Sequence, residues 1–125
     1  MTEILQAFND QQYMNIETFR KNGQGVKTPV WFAQEGETLR VWTESGSGKA
    51  KRIRRDGRVR IAPSTGSGQP LGEWMDAHAI PDDSPESVSH VVKLLKKKYG
   101  LTFSLFSLPG KMRSATYTTL TVRLG

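Results

Sequence analysis

Apolar and polar positions alternate with a period of two along several short stretches of this chain and change to a helical spacing in others. From Tyr13 to Phe19, Met14, Ile16 and Thr18 interleave with Asn15 and Glu17, and Val26 to Ala33 again mixes β-branched and aromatic residues; both stretches read as strands. The Asn22-Gly23 pair between them accepts the positive φ angles of a tight hairpin turn. After a second turn at Gln34 to Glu37, Leu39, Val41 and Thr43 alternate with Arg40 and Trp42, which predicts a third strand over Thr38 to Thr43 and with it a three-strand antiparallel meander. Val59 to Ala62, Trp74 to Ile80 and Thr116 to Val122 supply three further strands, the first two ended by Pro63 and Pro81.

Three segments carry the helical period. Ile4, Leu5 and Phe8 predict a short helix over Glu3 to Asn9. Lys49 to Arg55 makes two turns with Ala50 and Ile53 inward and its basic residues outward. Ser84 as N-cap, Pro85 in the first turn and Gly100 at the end bracket the clearest helix, whose inner stripe is Val88, Val91, Val92, Leu95 and Tyr99. Lys93, Lys96, Lys97 and Lys98 sit mostly off that stripe, near the negative end of the helix dipole, and read as structural. The expected fold is mostly β with peripheral helices, a small, six-stranded, mainly antiparallel barrel forming one domain over residues 1–125.

Composition narrows the chemistry. The chain lacks cysteine and has two histidines, His78 and His90, which excludes thiolate metal sites and cysteine nucleophiles and leaves too few histidines for most metal centres. No metal site and no catalytic side chain is nominated. The start, Met1 to Gln12, does not read as a secretory signal and no run is long enough to span a membrane, so a cytoplasmic location is expected. The net charge of +6 is concentrated: Lys49, Lys51, Arg52, Arg54, Arg55, Arg58 and Arg60 stand against Glu44 and Asp56. Such a window points to an anionic partner, whether a phosphorylated small molecule, a nucleic acid or an acidic polypeptide, or to a solvated basic helix face. Ahead of it, Ser45-Gly46-Ser47-Gly48-Lys49 combines glycines, hydroxyls and a lysine before a helix N-terminus, the parts of a phosphate cradle. Its spacing is not that of a Walker loop. Trp31, Trp42 and Trp74 are candidates for stacking on a base or a flavin-like ring.

The segments Asn15 to Gly23, Lys27 to Phe32, Ser47 to Arg55 and Arg58 to Pro63, with Leu94 to Tyr99 and the Leu105-Phe106 pair, together resemble the pyridoxamine 5'-phosphate oxidase-like split-barrel superfamily, in its flavin/deazaflavin oxidoreductase branch of F-420-dependent enzymes. The resemblance implies a six-stranded split β-barrel that forms a homodimer with a cofactor groove at the subunit interface, and as cofactor FMN, the deazaflavin coenzyme F-420 or, in some branches, heme. It implies phosphate contacts for Lys27 and Lys49, contact of Trp42 and Thr43 with the ring edge, and backbone contact of Thr28, Pro29 and Val30 along the ring. Ser47 and Arg55 complete the candidate cofactor site from the loop and the basic helix. Gly48 departs from the family, where the oxidase proper has arginine, and so does Asp56-Gly57, where relatives have Asn-Pro. Ser107 to Gly125 lacks counterparts of the residues that hold pyridoxal phosphate, so oxidation of pyridoxamine phosphate is not expected.

A bound flavin or deazaflavin brings its own redox centre, so a protein without cysteine or metal can transfer hydride by orienting the ring and excluding water. The basic track favours the more highly charged deazaflavin slightly over FMN. The expected function is hydride transfer to a small acceptor, with a non-catalytic cofactor carrier and a nucleic-acid binding module as alternatives. Residues Ser107 to Met112 offer no recognisable substrate chemistry.

Overall fold

The computed structural model describes residues 6–100 and 116–125. The first residues of the helix expected over Glu3 to Asn9, the Leu105-Phe106 pair and the Ser107 to Met112 segment lie outside them. Seven strands form one antiparallel sheet: β1 Tyr13–Phe19, β2 Gly25–Val30, β3 Ala33–Glu35, β4 Thr38–Glu44, β5 Arg58–Ser64, β6 Met75–Asp82 and β7 Tyr117–Leu124, in the spatial order β2-β1-β5-β6-β7-β4-β3. Among the described residues two full helices accompany it, α1 Gly48–Arg55 between β4 and β5 and α2 Pro85–Tyr99 between β6 and β7.

The expected count of six strands is corrected to seven, because the single strand expected over Val26 to Ala33 divides at Trp31-Phe32. Its first part pairs with β1, Met14 opposite Val30 through Phe19 opposite Gly25, and its second with β4, Ala33 opposite Arg40. These are opposite edges of the sheet. The expected meander is corrected for the same reason: β4 lies between β3 and β7, far in sheet order from β2. A fully extended chain advances at most about 3.6 Å per residue, so Val30 and Ala33 stand no more than about 11 Å apart. The two edges are thus held close without pairing, and the sheet closes into a split barrel.

Alternation along each strand fills the inside. Met14, Ile16, Val30, Leu39, Val41, Val59, Ile61, Ala77, Ala79, Leu120 and Val122 are buried in one cluster, which Ile53 of α1 and Phe8 join. Helix α1 starts at the N-cap Ser47, whose Oγ accepts from the Ala50 N–H at 3.3 Å, and buries Ala50 and Ile53 as expected. Helix α2 runs as its signals predict, from the N-cap Ser84, which accepts from the Ser87 N–H, to Gly100 at φ 63°. It lies over the other face of the sheet with Val91 and Leu95 buried against Ala33, flanked by Trp31, Trp42 and Tyr99.

The C-terminal turn of α2 also serves the crossing itself. Phe32 is fully buried and belongs to neither ladder, so its peptide groups need partners from elsewhere. Its N–H donates to the Tyr99 hydroxyl at 3.1 Å, and its carbonyl accepts from Lys98 Nζ at 2.8 Å. The single Tyr99 hydrogen has the Gln12 carbonyl at 2.7 Å and the Phe32 carbonyl at 3.0 Å within reach. Tyr99 further stacks on Trp31, ring centroids 4.4 Å apart and 11° from parallel. Replacing Tyr99 with Phe keeps the stack and orphans the Phe32 N–H; urea denaturation is expected to show a loss of about 1–3 kcal/mol, with the slope unchanged.

Candidate functional site

Strand β4 leads into the turn Ser45 to Ser47, and the chain enters α1 with its first amide groups directed out of the helix, where they lack intrahelical acceptors. The loop is held from both sides: Ser45 N–H donates to the Thr116 carbonyl at 2.9 Å, and Arg54 Nη1 donates to the Ser45 carbonyl at 2.8 Å. Between loop and sheet opens a cavity of about 220 Å³ lined by Trp42, Thr43, Glu44, Ser47, Lys49 and Tyr117. Four residues expected from the sequence, Trp42, Thr43, Ser47 and Lys49, therefore meet around one space. The positive end of the helix dipole, the Ser47 hydroxyl hydrogen and the Lys49 ammonium make its mouth suited to an anion. Its wall is aromatic, Trp42 stacked on Tyr117 with centroids 4.4 Å apart and 19° from parallel.

Tyr117 and Glu44 were not singled out by sequence reasoning. They face each other across the β4–β7 ladder, a pairing that no local pattern discloses. Burial, and secondarily the nearby Glu44 carboxylate, push the Tyr117 phenol up from its ordinary value.

The other expected residues lie elsewhere. Thr28 and Val30 alternate with Lys27 and Pro29 on edge strand β2, where Val30 joins the barrel core. Lys27 is exposed and its Nζ lies 5.2 Å from the centre of the Trp74 ring, against which Arg60 also rests at 5.6 Å. None of these four lines the cavity. Arg55 is at the far end of α1 and donates to the Phe19 carbonyl.

The basic window is dispersed in the same way. Arg52 folds back over Gly48, whose added Cβ would meet its Nη1 at 2.8 Å, and donates from Nε to Thr18 Oγ1 at 2.6 Å. Burial, then the charges of Arg20 and Arg55, hold its pKa down. Arg58 lies over the Phe19 ring, and Arg60 faces Glu17 at 3.4 Å across β1 and β5. Lys49 is thus the one cation of the window that lines the cavity.

No protein-family model matches this sequence, and no curated protein matches it. Solved structures do share its shape. The heme storage protein HutZ from Vibrio cholerae superposes with a TM-score of 0.71 at 14% identity, over 98% of this chain and 88% of that one. A putative pyridoxamine 5'-phosphate oxidase from Listeria innocua gives 0.64 at 12% identity over 98% and 90%. An F-420 reductase gives 0.62 at 16% identity over 100% and 95%. The chain shares the split-barrel fold of these three structures. Among the described residues of this split barrel no helix is long and apolar enough to cross a membrane, and no group of three metal-binding side chains gathers.

A second, larger cavity of about 460 Å³ opens beside the C-terminal half of α2, lined by Phe8, Asn9, Asp10, Phe32, Ala33, Gln34, Leu94, Lys97 and Lys98. Here one of the four helix lysines read as structural is half-buried while the other three are exposed. Lys98 Nζ lies 3.5 Å from the centre of the Phe32 ring, and burial holds its pKa down to about 8. Burial likewise pushes Tyr99 up to about 12.

Two measurements check the split barrel at these places. Ser47→Ala removes the α1 cap and should cost about 0.5–2 kcal/mol in urea denaturation. From pH 8 towards the ordinary lysine value of 10.5, the folded chain has released the Lys98 proton while the unfolded chain retains it, so this group makes stability rise with pH. Above the ordinary tyrosine value of 10.0 the unfolded chain ionises at Tyr99 first, and stability falls. The rise between pH 8 and 10 should be absent in Lys98→Met.

Proposed function

We propose that this protein is an oxidoreductase that holds a flavin-type cofactor, F-420 or FMN, by its phosphate at the start of α1 and passes hydride between the ring and a small acceptor. The observation that carries the reading is the convergence of Ser47, Lys49, Thr43 and the Trp42–Tyr117 stack on one cavity at a helix N-terminus. Hydroxyl, ammonium and open amide groups suit a phosphate ester, and the aromatic wall suits the flat ring system beside it. At about 220 Å³ the cavity takes the phosphate-bearing end but falls below the roughly 300 Å³ of a complete small-molecule pocket. The rest of the cofactor extends beyond it, which accords with a homodimer that completes the groove.

When bound, the cofactor supplies the hydride donor or acceptor. The chain's own residues bind and orient it: Lys49 neutralises phosphate, Ser47 donates a hydrogen bond, and Trp42 excludes water from one side. The concentration of neighbouring cations, although each of the arginines is tethered, raises the local potential for an anion and favours the more highly charged deazaflavin. Lys27, Thr28, Pro29, Val30 and Arg55 belong to the proposal as residues on the flank of the groove rather than within this cavity. A carrier that binds the same cofactor without turnover uses the same contacts. The nucleic-acid reading gains nothing from Trp31 and Trp42, since each has one face covered by a tyrosine.

Titration of the purified protein with F-420 and with FMN, followed by fluorescence, tests the reading. One of them should bind at micromolar concentration, and Lys49→Ala should weaken it at least about tenfold through loss of a charge-assisted hydrogen bond while leaving the circular dichroism spectrum unchanged. Absence of binding by both cofactors overturns it, and turnover with an acceptor separates enzyme from carrier.

A further inference from the structure

The cavity beside α2 plays no part in the proposed cofactor site. It is the larger of the two cavities described, and its walls divide by chemistry: Phe8, Phe32 and Leu94 are apolar, Asn9 and Gln34 bring amides, and Asp10, Lys97 and Lys98 are its titratable members. The amine of Lys98 is the half-buried group among them. Among the described residues no carboxylate pairs with it; its neighbours there are the Phe32 carbonyl at 2.8 Å and the rings of Phe32 and Tyr99. Tyr99, the other titratable group packed against it from α2, stays neutral well above pH 7. Residues Ala33 and Gln34 of β3, the third wall, carry no charge.

We propose that Lys98 is a reactive amine and that this cavity takes aldehydes with an apolar, ring-sized body, which it holds covalently as imines. The geometry provides each requirement. A neutral amine has two hydrogens and a lone pair; one hydrogen continues to serve the Phe32 carbonyl, and the lone pair is available to the carbonyl carbon of a guest resting on Phe8 and Leu94. Nζ forms a bond to that carbon, giving a carbinolamine. The hydroxyl then leaves with a proton as water and a C=N bond remains, so aldehyde and amine give imine and water with no redox change. The Phe32 carbonyl is not orphaned in the product, because the Tyr99 hydroxyl stands 3.0 Å from it as an alternative donor. Desolvation supports the same assignment: at pH 7 about a tenth of a group titrating near 8 is neutral, against about 0.03% of an ordinary lysine.

Benzaldehyde with cyanoborohydride, which reduces the imine to a stable secondary amine, tests this on the full chain, with peptide mass spectrometry to locate the adduct among nine lysines. Lys98 should be labelled at least about tenfold faster than Lys93 and Lys96, exposed on the same helix, at pH 7, with a midpoint near pH 8. Lys98→Arg should lose that adduct and keep its fold. Leu94→Trp, which fills the cavity and leaves the amine in place, should suppress labelling at Lys98 alone. Labelling of Lys98 no faster than its exposed neighbours, or unaffected by Leu94→Trp, overturns the proposal. Cofactor titration is unaffected in either case, since none of these residues lines the cavity at α1.

Discussion

The structure depends on what happens to the backbone N–H and C=O of one residue. Between Val30 and Ala33 the chain leaves one edge of a seven-stranded sheet and joins the other, and in doing so it buries Phe32 where no strand can pair with it. A buried, unserved N–H and C=O would cost about as much as any single substitution in the core. Tyr99 and Lys98, from the end of a helix more than sixty residues further on, answer both groups. The split in the barrel is therefore closed by side chains rather than by a ladder, and α2 is an integral part of that closure.

This arrangement separates two kinds of basic residue. On α1 and β5 the arginines are mostly fasteners: Arg52 to Thr18, Arg54 to the Ser45 carbonyl, Arg55 to the Phe19 carbonyl and Arg60 to Glu17. Each ties the helix, its leading loop or β5 to something fixed. With the loop so held, the amide groups at the start of α1 and the Lys49 side chain meet a cavity whose aromatic wall is set by the β4–β7 register. A rigid cradle of this kind serves a ligand that must be oriented rather than merely retained.

The packing around each side chain accounts for the contrast between Lys49 and Lys98. Lys49 lines an aromatic cleft at the positive end of a helix dipole, an environment that calls for a negative ligand. Lys98 lies at the opposite, negative end of a different helix, yet the aromatic rings and carbonyl packed around it withdraw water and disfavour its charge. Two lysines of similar sequence context, each beside another basic residue or a glycine, thus acquire different chemistry from their surroundings alone.

Local periodicity determined much of this protein. The alternation in Tyr13 to Phe19, Thr38 to Thr43 and Thr116 to Val122, the cap and stop of α2 and the inward pair Ala50 and Ile53 are consequences of side-chain spacing within one element, and each is found in the structure. The Ser47, Gly48, Lys49 loop was legible for the same reason, since helix start, hydroxyl and lysine are contiguous. What tertiary structure decided is everything that needs a second element. An apolar run from Val26 to Ala33 has the same period whether it is one strand or two, and only the closure of the sheet breaks it at Trp31. Tyr117 enters the site through strand pairing, Arg55 leaves it because a carbonyl of β1 is nearer, and Lys98 changes its acidity because Phe32 is folded beneath it. A sequence states which face a residue takes within its own element; its partner across space is fixed only when the chain has closed.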